Sequence, residues 1–458
     1  MLLTLLICGA ISTILVLVTM FLWQKVQFDW LNKTTIGLVW SLPFEYFPKL
    51  EIAGSSLRVS QVLVILGVYF ILILIFKKDR ELLGHRIHWV SIFPIIFWFL
   101  ASPSWLFITD FKRFLVYFVA TNLVFGAMVI LANFGTNIWQ RLKELSLILG
   151  GCAVFGLYQF VGDMLGLPSF LTGLREQYTK IVFGVPRVQG TAIEPLYFAG
   201  MLLLAMIIFW FWNLNRLSNL EKIDDNSPNK NNINLIKILS GITLLSFILT
   251  ISKGTFAVLV LILPALFVAS CWHFVYFQNL VHRFWIVSLT SCLSLVMLMS
   301  VFVDPVKVFG EVGQNFVETI AGTSASAVER SRFINEAVVS LPNNAILGIG
   351  MGQYADYVGS NLGNINTEES KAIVNNVYLE VWLENGFLAF GWFLLMLFLP
   401  LILLFKQLDQ NLTINSATIL ILIFSLVAYY LQWTLFSPIF IMPIFILLGM
   451  SYKSCKLS

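Results

Sequence analysis

Long apolar runs separated by short polar breaks fill most of the chain. Runs long enough to span a bilayer, about 20 residues each, lie at roughly 2–23, 58–76, 89–107, 112–133, 145–164, 191–212, 235–251, 255–271, 284–303, 378–405, 417–434 and 438–451. The pattern predicts an all-α, polytopic integral membrane protein with about 12 transmembrane helices. One moderately apolar stretch, 34–47, is short and contains Pro43, so it reads as either an interfacial segment or a thirteenth crossing. The first run lacks a basic flank and a small-residue cleavage site, and is expected to be retained as a helix.

Basic residues in the short connections set the orientation. Lys77, Lys78, Arg80 and Arg86 lie in one, Arg141 and Lys143 in the next but one, then Arg216, Lys222 and Lys230, then Arg283, Lys406, Lys453 and Lys456. All fall on one side, which the charge bias makes cytoplasmic. Lys112 and Arg113 lie at the opposite edge against the rule, partly offset by Asp110. With this orientation one large extracytoplasmic loop, 304–375, and the polar segment 166–190 face outward, while 213–234 reads as a cytoplasmic linker. No internal repeat is visible, nor a matched pair of Gly/Pro-broken helices, which argues against an alternating-access transporter of lipid-linked glycan or small solute.

Composition narrows the class. Of 458 residues, 59% are hydrophobic and 11% charged, against about 25% charged in soluble domains, so a soluble globular protein is excluded. The net charge of +4 is scattered through loops, which makes nucleic acid an improbable partner. Cys8, Cys152, Cys271, Cys292 and Cys455 show no CxxC spacing, so neither a disulfide framework nor a metal site is indicated, and no cofactor is expected.

Charge near the bilayer is expensive, which makes each instance there informative. In PRVQGTAIEP, Arg187 and Glu194 bracket the entry of the sixth helix from outside; they are either functional or the ordinary decoration of a water-facing helix end. Lys253 sits in a tight outer hairpin, where an isolated Lys can simply snorkel. In the large loop, Ile334, Ala337, Val338 and Leu341 follow a helical spacing with Glu329, Arg332 and Glu336 opposite. Arg330 and Arg332 thus lie on an amphipathic helix near the membrane, where pairing with the two glutamates is the bland alternative. Pro342 is expected to stop this helix, and the GxGxG of LGIGMGQY after it follows no strand, so a nucleotide fold is rejected. Asn375 and Asn376 lead into the tenth helix, where Asn376, Glu380 and Glu384 recur at four-residue steps beside Tyr378 and Trp382. The adjacent aspartates Asp224 and Asp225 face the cytoplasm and form no DxD, so nothing suggests a metal-dependent enzyme using nucleotide sugars.

Cations at a lipid–water boundary suit an anionic headgroup, and Arg grips phosphate oxygens in a planar fork. If a lipid diphosphate carries a glycan, those cations stabilise the leaving group while a carboxylate takes the proton of an attacking hydroxyl. The ordered pieces RVQGTAIEP, ISKG, ERSRFINEAVVSLPNNAILGIGMGQY and NNVYLEVWLENGFLAFG resemble the O-antigen ligase and O-antigen polymerase superfamily. The resemblance covers roughly 185–405 and divides the chain into N-terminal helices 1–184, a core 185–405 including the outer loop, and C-terminal helices 406–458. It implies a metal-independent glycosyltransferase in the cytoplasmic membrane, active on its outer face, with polyprenyl-diphosphate-linked glycan (undecaprenyl diphosphate as carrier) as donor. Its partners would be that glycan, the lipid bilayer and other polysaccharide assembly proteins. Two positions depart from the family: Asn375-Asn376 stands where many members have His-Asn, and Ser252-Lys253-Gly254 where they commonly have Ser-Arg-Gly. Asn cannot act as a base, which disfavours a ligase and favours a surface-polysaccharide polymerase. The expected acid-base and acceptor-positioning residues are Glu194, Glu380 and Asn375; Arg187, Lys253, Arg330, Arg332, Asn376, Tyr378 and Glu384 are the expected substrate contacts.

Overall fold

The computed structural model describes residues 29–44, 49–52, 55–78, 87–174, 181–182, 185–192, 194–219, 230–252, 255, 258–259, 325–362, 374, 376–410 and 438–454. In chain order its helices are α1 (Asp29–Ser41), α2 (Val59–Phe76), α3 (Phe93–Ala101), α4 (Phe111–Phe134), α5 (Ile138–Met164), α6 (Ser169–Thr172), α7 (Pro195–Asn219), α8 (Lys230–Leu249), α9 (Ala325–Asn344), α10 (Tyr354–Leu362), α11 (Val377–Gln410) and α12 (Pro438–Ser454). Among the described residues six segments are long and apolar enough to cross a membrane: Val59–Phe76, Trp89–Phe107, Phe111–Phe134, Ile138–Met164, Pro195–Asn213 and Val377–Leu404. Two shorter apolar helices, Leu235–Leu249 and Met442–Lys453, coincide with further predicted runs. The runs expected at 2–23, 284–303 and 417–434, and nearly all of 255–271, lie outside the described residues.

Several local expectations need correction. Two short antiparallel ribbons occur in a chain read as all-α: β1 (Lys49–Ile52) pairs with β2 (Ser55–Arg58), and β3 (Ile181–Val182) with β4 (Val185–Pro186). Of the segment 34–47, residues 34–44 are described, and most of them belong to one short helix. Its helix, α1, is 13 residues long, about 20 Å, and Leu31, Leu38 and Leu42 bury against the bundle. Helix α5 begins at Ile138 rather than near residue 145, because its polar first turns satisfy one another: Glu144 accepts from Trp40, Gln140 and Arg141. Asn137 caps this start by accepting the Gln140 N–H.

Some of the long helices approach closely at a glycine, the usual way membrane helices pack. A Cβ at Gly449 of α12 would lie 2.5 Å from the Met128 carbonyl of α4, and one at Gly67 of α2 would lie 2.8 Å from Ile130. At the same end of the bundle, Lys453 Nζ donates to the Asn133 carbonyl at 2.7 Å, and Asn133 Oδ1 accepts the His88 N–H at 2.7 Å. Tyr452, fully buried, donates to the Met396 carbonyl and packs edge-on against Trp89 and Phe93. These contacts gather α4, α11, α12 and the start of the Trp89–Phe107 segment at one end. The entrance to α4, the entrance to α11 and the helices α9 and α10 meet at the other.

Candidate functional site

The entrance of α11 carries the most polar cluster among the described residues. Its helix breaks at Gly386, which adopts φ 81° and ψ 170°, conformations a Cβ resists. The break frees carbonyls in the turn above it, and the glycine loop after α9 uses them: Ile349 N–H donates to Leu383 O at 2.9 Å and Gly350 N–H to Glu384 O at 3.1 Å. The approach is too close for side chains. A Cβ on Gly348 would lie 2.5 Å from the Glu384 carbonyl, and one on Gly386 would lie 2.4 Å from the Ile346 carbonyl. Trp382 closes the seat by donating its indole N–H to Ala345 O at 3.1 Å.

Glu384 is fully buried, and its carboxylate accepts the backbone N–H groups of Gly352 at 2.8 Å and Tyr354 at 3.2 Å. Those N–H groups open α10, so the carboxylate also meets the positive end of that helix. Gln353 ties the same loop to the entrance of α4. Its Oε1 accepts from Thr109 N–H, Thr109 Oγ1 and Asp110 N–H, while its Nε2 donates to Asp110 O and Met351 O.

Arg113, one turn into α4, is the cation of this cluster that sequence reasoning did not select. Its Nη1 lies 4.0 Å from Asp356 of α10, its Nη2 lies 3.5 Å from the Tyr117 hydroxyl, and its guanidinium stands 5.6 Å from the centre of the Tyr117 ring. The Tyr117 ring covers Gly352, and the charges of Glu384 and Glu380 both act on its phenol. Across the cluster, Tyr354 donates to Phe333 O at 2.7 Å. Burial, followed by the carboxylates of Glu336, Glu380 and Glu384, pushes the Tyr354 phenol above its ordinary pKa, with Arg332 opposing.

The expected residues divide accordingly. Glu380 and Glu384 come together, 1% and 0% exposed, beside Tyr354 and Tyr117. Asn376 caps α11 by accepting the Leu379 N–H at 3.0 Å. Tyr378 is half-buried against the main core. Arg332 pairs with Glu336 at 3.0 Å within α9, as its bland alternative had it, while its charge still reaches Tyr354. Arg330 lies on α9. Asn375 and Lys253 lie outside the described residues. The inward face of α9 keeps Ala337 and Leu341 of the expected stripe but is rotated toward Phe333. Phe333, Ala337 and Leu341 pack into the small core with Tyr354 and Leu383, whereas Val338 is 51% exposed. Pro342 does not stop α9, which continues to Asn344 because the Asn344 side chain donates to Ser340 O and to Tyr357 Oη.

Arg187 and Glu194 form a second group. Arg187 Nε donates to Thr250 O at 3.0 Å and Nη2 to Ile251 O at 3.4 Å, while Val188 N–H reaches Leu249 O at 3.2 Å. The guanidinium therefore sits on the C-terminal carbonyls of α8, where a cation is favoured. Burial draws its pKa down and Glu194 opposes that. Glu194 opens α7, its carbonyl accepting the Phe198 N–H at 3.0 Å. Between them a short 3-10 turn, Gly190–Ala192, packs on the side of α5: Gln159 Oε1 accepts from Gly190 N–H at 2.7 Å, and Thr191 Oγ1 donates to Pro43 O at 2.7 Å. Irregular backbone survives at such depth only when protein satisfies it, and Gln159 does so here.

Comparison of the chain with known protein families gave no match, and comparison with curated proteins gave none. What the site can do therefore rests on its own chemistry. Two cations and several carboxylates stand at one end of an apolar helical bundle, with Arg187, held on the carbonyls of Thr250 and Ile251, and Glu194 as a second group.

Proposed function

We propose that the protein is a membrane glycosyltransferase that lengthens polyprenyl-diphosphate-linked glycan at the outer leaflet of the cytoplasmic membrane, as a polymerase of surface polysaccharide. The observation that carries this reading is the gathering of buried Glu380, Arg113 and Arg332 around Tyr117 and Tyr354, where α4, α9, α10 and α11 converge. Charges kept at the edge of a membrane bundle are costly and mark substrate sites. The resemblance of 185–405 to the O-antigen ligase and polymerase superfamily supplies the substrate class.

In the proposed reaction an acceptor hydroxyl forms a C–O bond at the anomeric carbon of the lipid-linked sugar while the bond to the diphosphate breaks. The hydroxyl proton passes to a carboxylate, Glu380 or Glu194, and the departing diphosphate keeps its charge on the neighbouring guanidinium groups. Glu384 has both oxygens engaged by backbone N–H groups, so its part is to hold the glycine loop. Transfer to a lipid or protein acceptor would use the same bond chemistry.

The test is purified protein in liposomes with short lipid-linked repeats. The expected result is longer lipid-linked chains, a loss of about tenfold or more in rate for Glu380→Gln or Glu194→Gln, and no product on an added lipid or protein acceptor that carries no polyprenyl diphosphate. Capping of such an acceptor without chain lengthening would replace the polymerase with a ligase; passage of intact lipid-linked glycan across the bilayer without new bonds would overturn the enzyme reading.

A further inference from the structure

Helix α9 changes character along its length. Arg332 and Asn335 are exposed on its first half, whereas Val338 (51%), Val339 (75%), Ile346 (77%) and Leu347 (45%) expose apolar side chains at its end and just beyond. A face of this kind in water loses the free energy of burial, about 25 cal/mol per Å². Its inward stripe is already satisfied by the core with Tyr354 and Leu383, so the outward apolar end has another occupant.

The neighbouring surface identifies it. The end of α9 is fixed against the break in α11, where a Cβ on Gly386 would touch the carbonyls of Ile346 and Leu347. Directly below the break, Phe387, Leu388, Leu395, Phe398 and Ile402 are all exposed; Phe387, Leu395, Phe398 and Ile402 recur at the i, i+8, i+11 and i+15 spacing of one helical stripe on a membrane-length helix, with Leu388 beside it. From Phe387 to Leu404 the helix measures about 27 Å, close to the hydrocarbon thickness of about 30 Å. Gly386 therefore marks the level of the lipid headgroups, and the apolar end of α9 continues the lipid-facing stripe at that level. Trp382 stands at the junction, its ring stacked on Phe390 at 5.1 Å and its N–H on Ala345 O, the amphipathic placement that interfacial Trp favours.

We propose that the C-terminal end of α9, through Val338, Val339, Ile346 and Leu347, inserts into the outer-leaflet lipid interface. The polar first half rises into water, and the glycine loop with Glu384 hangs from a helix anchored in lipid. Insertion of this kind follows from apolar area and does not depend on the reaction catalysed.

The test uses full-length protein in liposomes with native cysteines replaced by serine, carrying single environment-sensitive fluorophores at Asn335, Val339, Ile346 or Leu388. Labels at Val339 and Ile346 are expected to emit at shorter wavelength than at Asn335, and to be quenched by lipids bearing a nitroxide near the headgroup more than by lipids bearing it at the chain end. Leu388 provides the lipid-exposed standard. A label at Val339 and Ile346 as water-exposed as at Asn335 would overturn the proposal, as would a blue-shifted label that no lipid nitroxide quenches, since protein would then cover the face. A photoactivatable residue in place of Ile346 gives an independent reading: lipid adducts support insertion, protein adducts alone refute it.

Discussion

Arg113 illustrates how a residue with no motif can join a site. Its guanidinium lies over the Tyr117 ring and reaches toward Asp356, so it combines charge, stacking and a carboxylate partner in one place. Arg113→Lys keeps the charge and loses the planar stack and fork. In the lipid-linked repeat assay Arg113→Ala is expected to lower the rate more than tenfold, the equivalent of one charge-assisted contact of about 1.5 to 3 kcal/mol, with Arg113→Lys between it and wild type. Unchanged chain lengthening in Arg113→Ala would remove this residue from the site. Glu384 makes a different prediction because its oxygens serve backbone donors. In Glu384→Gln the amide nitrogen must face one N–H of Gly352 or Tyr354, leaving a buried donor unmet at a cost of about 1 to 3 kcal/mol. Hydrogen exchange over 348–362 should therefore quicken in Glu384→Gln, whereas a purely chemical role would slow the reaction and leave exchange as it was. The sequence pattern puts Glu384 among the expected substrate contacts; the break at Gly386 turns it toward backbone N–H groups, and no spacing rule foresees a break.

At the level of elements, the glycine loop and the entrance of α11 act as one piece. Gly348 has φ 83° and sits against the Glu384 carbonyl, so Gly348→Ala adds both a backbone conformation that L-residues avoid, at about 1 to 2 kcal/mol, and a close contact. Gly391, with open space where its Cβ would be, supplies the comparison. Gly348→Ala should lower the thermal unfolding temperature of the purified protein and abolish activity, while Gly391→Ala is expected to leave both near wild type or raise the temperature slightly, since Ala is the better helix former. Equal behaviour of the two variants would show that the loop is not seated as described. The LGIGMGQY sequence is legible as a turn-rich stretch, but its docking on α11 is not, because the carbonyls it uses exist only after the helix breaks. Helix α9 fails in a related way. An i, i+3, i+4 pattern fits Val338 as well as Phe333, and only the position of Leu383 and Tyr354 decides which of the two turns inward.

Across the whole molecule the apolar runs carry most of the architecture, since a helix that must satisfy its own backbone in lipid announces itself by length and hydropathy alone. Six described spans fall where the pattern puts them. Short elements escaped for the opposite reason: α1 and the β1–β2 ribbon are too brief for a periodic signal, and partners such as Thr191 on the Pro43 carbonyl fix the local path of α1. The end opposite the candidate site holds His88, whose pKa is drawn below its ordinary 6.5 by burial first and by Lys453 second, with a backbone hydrogen bond to Tyr452 opposing. The folded protein thus binds fewer protons at this site than the unfolded chain, so stability present above pH 6.5 falls as the pH drops through the lowered value. Thermal unfolding in detergent should show a lower Tm on passing from neutral to mildly acidic buffer, and His88→Gln should flatten that slope; an unchanged slope would mean that other groups carry the acid sensitivity.

The orientation of the bundle is the last prediction, and Arg113 gives it weight. The basic connections put the His88, Asn133 and Lys453 end in the cytoplasm, yet Lys112 and Arg113 stand at the other end against that bias. The exception has a structural explanation for Arg113, which is drawn into the cluster with Tyr117 and Asp356 and so owes its place to a partner rather than to topology. Removing it from the count strengthens the assignment of that end to the outside. A cysteine at Asn335, exposed on the polar part of α9, should therefore react with an impermeant thiol reagent in intact cells, and one at Thr136, exposed in the connection from α4 to α5, should react only after the membrane is opened. Because α4 runs from one end of the bundle to the other, the two positions report opposite faces. Labelling of Thr136 but not Asn335 in intact cells would reverse the bundle, put the cluster of Arg113 and Glu380 inside the cell, and separate it from a lipid-linked donor at the outer leaflet.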